Sequence, residues 1–286
     1  MKTGLVLEGG AMRGIYVAGV LDAMMEQQVT ADGVIGVSAG AIHGCSFVSG
    51  QHGRSIRYYL KHMNDWRFMS FRSFLLTGNL VNTQFCYHDL PDRLDVFDRE
   101  TFEESPVKFY VTCTNVETGQ PEYILMENMD EIEYLQASAS MPIVSQIVEV
   151  GGKKLLDGGV SDSVPVKAFR KMGYDRCVVV LTRPEGYRKK SSNMGLIRKI
   201  YKKYPAFVKA MEDRYLSYNQ TMDEIGQMEK DGEILVIRPS RDPHIGRMEK
   251  KAEKVQEVYQ LGYTDAMNKM EELKKFLKGE QEDGMA

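Results

Sequence analysis

Short apolar runs and glycine-rich turns alternate through the first fifty residues. Gly4–Leu7 is apolar, Gly9–Gly14 is turn chemistry, and Ile15, Val17, Val20, Leu21 and Met24 then recur at helical spacing. Val34–Val37 is a second apolar run, followed by the small and apolar helix formers Ala39–Val48. The pattern predicts strand, turn, helix, strand, sharp turn, helix. Two strands joined through a helix pair in parallel by a right-handed crossover, so the sheet begins as a parallel α/β sheet.

Further along, Ser55–His62 reads as helix, whereas Phe68–Leu76 is rich in aromatic and aliphatic residues without a clean period. Val107–Thr114 and Glu122–Met126 flank the turn Glu117-Thr118-Gly119 and predict a hairpin, which makes the sheet mixed. A helix over Glu131–Ser140 stops at Pro142. Short strands follow near Gln146–Val150 and Lys154–Leu156, then a helix at Pro165–Met172 and a strand at Arg176–Thr182. The last third predicts a long helix around Phe207–Met228, a strand at Ile234–Arg238 and a charged helix from Met248 to Leu277 that reads as a solvated face. The expectation is one domain over residues 1–286, a three-layer α/β/α sandwich with a mixed, mainly parallel central sheet. Its motif-bearing part spans 3–183 and its C-terminal extension 184–286.

Composition adds exclusions. With 286 residues, 43% of them hydrophobic and 27% charged, the chain can bury a core without metals or disulfides as staples. A net charge of −3 gives no whole-protein reason to expect nucleic acid as a partner. Cys45, Cys86, Cys113 and Cys177 are scattered without a CxxC pair and read as reduced thiols packed as small hydrophobes. Cys86, His88 and Asp89 lie close together, but one short cluster without a second ligand pair is weak support for a metal. The N-terminus lacks the basic segment, long apolar run and small-residue cleavage site of a secretory signal. No apolar run approaches the ~20 residues that cross a bilayer. The expected location is therefore cytoplasmic, with any membrane contact peripheral.

The chemistry begins at Gly36-Val37-Ser38-Ala39-Gly40, a G-x-S-x-G sequence placed where a strand turns into a helix. Small residues two before and two after the serine let the backbone bend tightly and lift the hydroxyl clear of the sheet. The following helix then points its N-terminus at developing negative charge. Only one strand precedes this elbow, unlike the α/β-hydrolase order. His43 follows Ser38 too closely on its own helix to act as a base. A Ser-His-Asp triad would have to run through His244, in an Arg/Asp/Pro-rich loop. Asp157, followed by Gly158 and Gly159, ends the short strand Lys154-Leu155-Leu156. Alone it reads as a turn cap; beside the elbow it reads as a direct acceptor of the Ser38 proton, helped by burial that raises a pKa of ~3.9. Gly9, Gly10, Ala11 and Met12 end the first strand and present successive amides that suit an oxyanion hole. Arg13, next to Gly14, either steadies the loop or favours anionic head groups. Gly9, Ala11 and Gly14 also fit a loosened dinucleotide fingerprint, but the acidic residue that fingerprint wants after the second strand is replaced by Ser38.

Glu8-Gly9-Gly10-Ala11-Met12-Arg13-Gly14, Gly36-Val37-Ser38-Ala39-Gly40, Ala137-Ser138-Ala139-Ser140-Met141-Pro142 and Asp157-Gly158-Gly159 resemble, in order, the motifs of bacterial patatin-like phospholipases. In that family the first motif supplies the oxyanion hole, the second the serine and the last the aspartate of a Ser-Asp dyad. The resemblance covers residues 3–183, and more faintly Arg238-Pro239 and Leu261-Gly262-Tyr263. Glu8 departs from the usual Asp or small residue, and Ala11 from the third glycine. Ala11 keeps its N–H but narrows the permitted φ and brings a methyl near the hole. The resemblance implies acyl transfer from a lipid ester to water through an acyl-serine, with no metal or cofactor. Two other readings stay open: a lipid- or partner-binding regulator with little turnover, and a non-lipid esterase or thioesterase.

Two segments bear on access to lipid. Phe68, Met69, Phe71, Phe74, Leu75 and Leu76 read either as core or as a mobile cap or interfacial lip. Arg188, Lys189, Lys190, Arg198, Lys199, Lys202, Lys203 and Lys209 alternate with Met194, Leu196, Ile197, Ile200, Tyr201 and Phe207. That pattern suits an anionic membrane surface or, more plainly, a solvated basic face.

Overall fold

The computed structural model describes residues 1–279 of the chain. Its eight strands form one sheet: β1 Thr3–Leu7, β2 Gly33–Val37, β3 Lys108–Asn115, β4 Pro121–Met126, β5 Val148–Val150, β6 Lys153–Asp157, β7 Arg176–Val180 and β8 Ile234–Ile237. The helices are α1 Ile15–Glu26, α2 Ala39–Val48, α3 Arg54–His62, α4 Phe71–Thr77, α5 Arg99–Glu104, α6 Glu133–Ser138, α7 Val166–Lys171, α8 Gly195–Ile200, α9 Pro205–Lys230, α10 Ala252–Asn268 and α11 Met270–Lys278. A π-helical segment, Phe85–Leu94, lies between α4 and α5.

Strand order is β5-β6-β3-β2-β1-β7-β8, with β4 also on β3. β3, β2, β1, β7 and β8 run parallel, and β4, β5 and β6 add antiparallel pairs, so the sheet is mixed and mainly parallel. The central strands are apolar on both faces because both faces are covered. Leu5, Leu7, Val178, Val180, Leu235 and Ile237 pack into one core, and Val6, Cys177, Val179, Ile234 and Val236 into another on the opposite side. Helices α1, α2 and α10 cover the first face; α7 and α9 cover the second.

β3 is the frame for the site. It pairs with β4 over Phe109–Thr114, so its other edge is shared by β2, opposite residues 108–112, and β6, opposite residues 113–115. β2 runs parallel to β3 and β6 antiparallel. Their C-terminal ends therefore converge, with Val37 opposite Thr112 and Asp157 opposite Cys113.

The charged C-terminal helix differs from its expectation as a solvated face. It breaks at Lys269, and α10 buries Val255, Val258, Tyr259, Gly262 and Ala266 against α1. The Tyr16 hydroxyl donates to Asp265 at 3.0 Å and the Tyr259 hydroxyl to Asp22 at 2.9 Å, tying the two helices together. Such buried bonds to carboxylates are each worth about 1.5–3 kcal/mol. Among the described residues no helix is long and apolar enough to cross a membrane.

Candidate active site

Ser38 sits between β2 and α2 at φ 54°, in the left-handed region that side chains other than glycine avoid. Tight packing enforces the bend. A Cβ on Gly36 would stand 2.4 Å from the Ala41 Cα, and one on Gly40 would stand 2.4 Å from the Leu7 carbonyl oxygen. Those glycines let α2 cross the ends of β1 and β2 at backbone contact. Ala11 at φ 50° and the β-branched Ile143 at φ 76° are held in the same region, and all three residues line one pocket. Strain of this kind collects where the surroundings over-determine a geometry.

Asp157 is buried and lines the same pocket as Ser38. Its Oδ1 accepts from the Gly159 amide at 2.8 Å. Burial pushes the Asp157 carboxyl above the usual carboxylate range, against the pull of Arg214, the Gly159 amide, Ser38 and Lys189. Gly158 leaves the backbone room against the Thr112 carbonyl. The Ala137–Pro142 segment bonds the backbone at both Ser38 and Asp157: Ser138 Oγ accepts from the Ser38 amide at 2.9 Å and donates to the Thr112 carbonyl at 2.7 Å. The Ser140 carbonyl accepts from the Asp157 amide at 2.9 Å. The sequence shows this motif without showing that Ser138 is the pin.

The Gly9–Gly14 loop closes over the elbow, with Gly9 packed on Val37 and Ser38 and Gly14 on Ala39. Among the described residues the amides of Gly9, Gly10, Ala11 and Met12 donate to no protein acceptor. Glu8 anchors this loop. Its Oε2 accepts from the Thr182 amide at 2.6 Å and hydroxyl at 2.9 Å, and its Oε1 accepts from the Tyr218 hydroxyl at 2.9 Å. The departure from the family pattern at Glu8 is thus a fully bonded strut between the ends of β1 and β7 and helix α9.

Ser38 lies between two cavities, and Ala11, Ser38 and Met141 line both. One, of about 120 Å³, is apolar and is walled by Ile42, Tyr59, Met69, Val81, Leu90 and Leu135 among others. The other, of about 270 Å³, holds Arg13, Arg183, Lys189, Arg214 and Arg247 against only two carboxylates, Glu8 and Asp157. Arg214 Nε donates to the Gly159 carbonyl at 2.5 Å, next to Asp157. Lys189 Nζ lies 4.0 Å from the Tyr218 ring centroid. Burial, together with Arg214 and Arg13, pushes Lys189 down to about 7, while Glu8 and Asp157 oppose that shift.

Other sequence candidates lie elsewhere. His43 is buried, its Nδ1 3.0 Å from Ser55 Oγ, and burial pushes it down to about 3. His244 is 78% exposed beside Asp242. Cys86 lines the apolar cavity, while Asp89 pairs with Arg93. Phe68 and Met69 line the apolar cavity, whereas Phe71, Leu75 and Leu76 project from α4 into solvent, dividing that aromatic run between core and surface. Of the basic run, Arg188 pairs with Asp223, Arg198 with Glu212 and Lys209 with Asp213, while Lys189 turns into the pocket.

The model of the patatin-like phospholipase family matches residues 5–170, more than half of the chain. The chain belongs to that family. A second model, a domain of unknown function (DUF6363), matches residues 204–278. The uncharacterized protein YjjU of Escherichia coli is 30% identical over 189 residues, covering 64% of this chain and 52% of its own length. Lysophospholipase nte1 of Aspergillus oryzae is 26% identical over 291 residues, covering 96% of this chain. The chain spans about half the length of the first relative and 18% of the second. The solved structure of VipD from Legionella pneumophila aligns over 95% of this chain and 67% of its own, with a TM-score of 0.45 and 15% identity.

Proposed function

We propose that this patatin-like protein is a serine-dependent lipid acyl hydrolase, a carboxylic ester hydrolase of the phospholipase A or lysophospholipase kind. One observation carries the reading. A serine strained to φ 54° shares a pocket with a buried carboxylate where an apolar cavity meets a polar one. In this scheme Ser38 Oγ attacks the ester carbonyl and Asp157 takes its proton. The tetrahedral oxyanion rests on the amides of Gly9, Gly10, Ala11 and Met12, with α2 pointing its N-terminus at Ser38. Collapse expels the alcohol, which receives the proton from Asp157, and leaves an acyl-serine. Water then attacks the acyl-serine as Asp157 accepts a proton, releasing fatty acid and restoring Ser38.

The acyl chain occupies the apolar cavity, and the exposed Phe71, Leu75 and Leu76 of α4 form a lip for shallow contact with a lipid surface. The relative named lysophospholipase supports a lipid carrying an acyl ester as substrate.

The test compares wild type with Ser38→Ala and Asp157→Asn on a medium-chain p-nitrophenyl ester and on lysophospholipid. Each substitution is expected to lower kcat/KM by about 10³-fold or more. Wild-type kcat/KM is expected to fall with acidification through a pKa above the ordinary ~4 of an aspartate, since only ionised Asp157 accepts the proton. Turnover that survives Ser38→Ala in a folded protein would sink the mechanism. Lipid binding with no turnover of any ester would favour a binding regulator instead.

A further inference from the structure

The polar pocket carries far more positive charge than the scheme above uses. Among the described residues, Arg13, Arg183, Lys189, Arg214 and Arg247 form no ion pair, although each lines the pocket. Arg13 Nε and Arg183 Nε are buried without any hydrogen-bond partner. Glu8 gives these cations no hydrogen bond, because its oxygens accept from Thr182 and Tyr218, although its charge still attracts Arg13 and Lys189. Arg183 and Lys189 rest on the rings of Tyr187 and Tyr218, at 4.2 and 4.0 Å, which stabilises a cation without neutralising it.

We propose that this pocket is an anion subsite that takes the phosphomonoester head group of a single-chain lipid ester, and that residues 204–278 supply part of it through Arg214, Tyr218 and Arg247. The assignment of that anion as a substrate's head group rests on the hydrolase reading, because it places the scissile ester at Ser38 between the two cavities. A phosphomonoester carries about −1.5 to −2 charge at pH 7 and three acceptor oxygens. Guanidinium groups match such oxygens with paired, charge-assisted bonds. A choline head group would instead bring a quaternary ammonium among five cations, and a neutral glycerol would leave the cations as they are. The segment of unknown function is then a wall of the site, anchored to the dyad where Arg214 holds the Gly159 carbonyl.

Binding tests this apart from turnover. Non-hydrolysable 1-O-alkyl glycerol 3-phosphate, 1-O-alkyl glycerophosphocholine and 1-O-alkyl glycerol, of one chain length and below micelle formation, would be titrated calorimetrically into the full chain carrying Ser38→Ala. The phosphomonoester is expected to bind at least about 10-fold more tightly than either of the others. Arg247→Gln and Arg183→Gln are each expected to erode that advantage by about 10-fold. Arg247 is exposed, so Arg247→Gln reads the subsite even if Arg183→Gln misfolds. Equal affinity for the three head groups overturns the proposal, as does an advantage that Arg247→Gln leaves intact. Inorganic phosphate binding as tightly as the alkyl phosphate would mark a free-phosphate site and overturn the head-group assignment. If wild type turned over no ester, the hydrolase reading would fall while a head-group preference in binding would still stand.

Discussion

The cavity on one side of Ser38 is walled by aliphatic and aromatic side chains drawn from residues 11–141, whereas the pocket on the other side draws its charge from Glu8, Arg13, Asp157, Arg183, Lys189, Arg214 and Arg247. The apolar wall is redundant. Its contribution grows with buried area at roughly 25 cal/mol per Å², so no single side chain decides what it accepts. The polar wall is concentrated in a few groups whose charge has nowhere else to go. Shape governs the first cavity and charge the second, and the two should respond to different perturbations.

Obstructing the apolar cavity gives the larger expected effect. Val81 is only partly buried in that wall, so Val81→Trp can project into the cavity with less overpacking than a core substitution, which costs about 1–3 kcal/mol. On a p-nitrophenyl ester series, kcat/KM for dodecanoyl and longer chains is expected to fall about 10–100-fold relative to the butyryl ester. A parallel loss at every chain length would show that this cavity does not hold the acyl chain. The ratio for phosphomonoester over neutral head group should move little.

The polar pocket should answer to pH instead. Lys189, down at about 7, is charged below that pH and neutral above it. Facing it are Arg214 and Arg13, which favour the neutral form, Glu8 and Asp157, which favour the charged form, and the Tyr218 ring. A phosphomonoester is already dianionic above pH 7, since its second pKa is ~6. Raising the pH from 7 to 9 is therefore expected to weaken the head-group preference by roughly 3–10-fold through loss of one cation. Lys189→Arg, charged throughout, should flatten that profile. A preference that stays level in wild type would remove Lys189 from the subsite.

The two cavities also differ in how far the sequence reveals them. The elbow is legible because its determinants are local: an apolar strand, Gly36 and Gly40 flanking Ser38, and small residues entering a helix. Asp157 is legible as a carboxylate at a strand end. The reason the two meet is not local. β2 and β6 arrive from opposite directions on one edge of β3, and only the register opposite Thr112 and Cys113 joins them. The cationic wall is harder still, since its residues are spread from position 13 to 247 and Lys189 hides within a basic run that otherwise faces solvent. One signal was available. Phe207, Met211, Tyr218, Met222 and Ile225 form the inward stripe of α9 at helical spacing, and Arg214 sits within that stripe. A charged residue on an apolar stripe points to a polar site beneath it. The terminal helix misleads for the opposite reason, because its Lys and Glu residues mask the 3–4 spacing of Val255, Val258, Tyr259, Gly262 and Ala266.

Ala11 belongs to both cavities and carries the smallest expected effect. At φ 50° an alanine pays roughly 1–2 kcal/mol relative to its preferred regions, a strain glycine would not feel. Glycine gives back roughly 0.4–1 kcal/mol through the greater freedom of its unfolded chain. The two terms leave Ala11→Gly neutral to about 1.6 kcal/mol more stable, which denaturant unfolding at pH 7 can resolve. The methyl lines both the apolar cavity and the polar pocket, so its loss should also raise kcat/KM slightly for the bulkiest esters. A variant less stable by more than about 1 kcal/mol would mean that packing around the methyl outweighs the backbone strain. In that case the third glycine of the family motif would be absent here because the junction between the two cavities needs a side chain there.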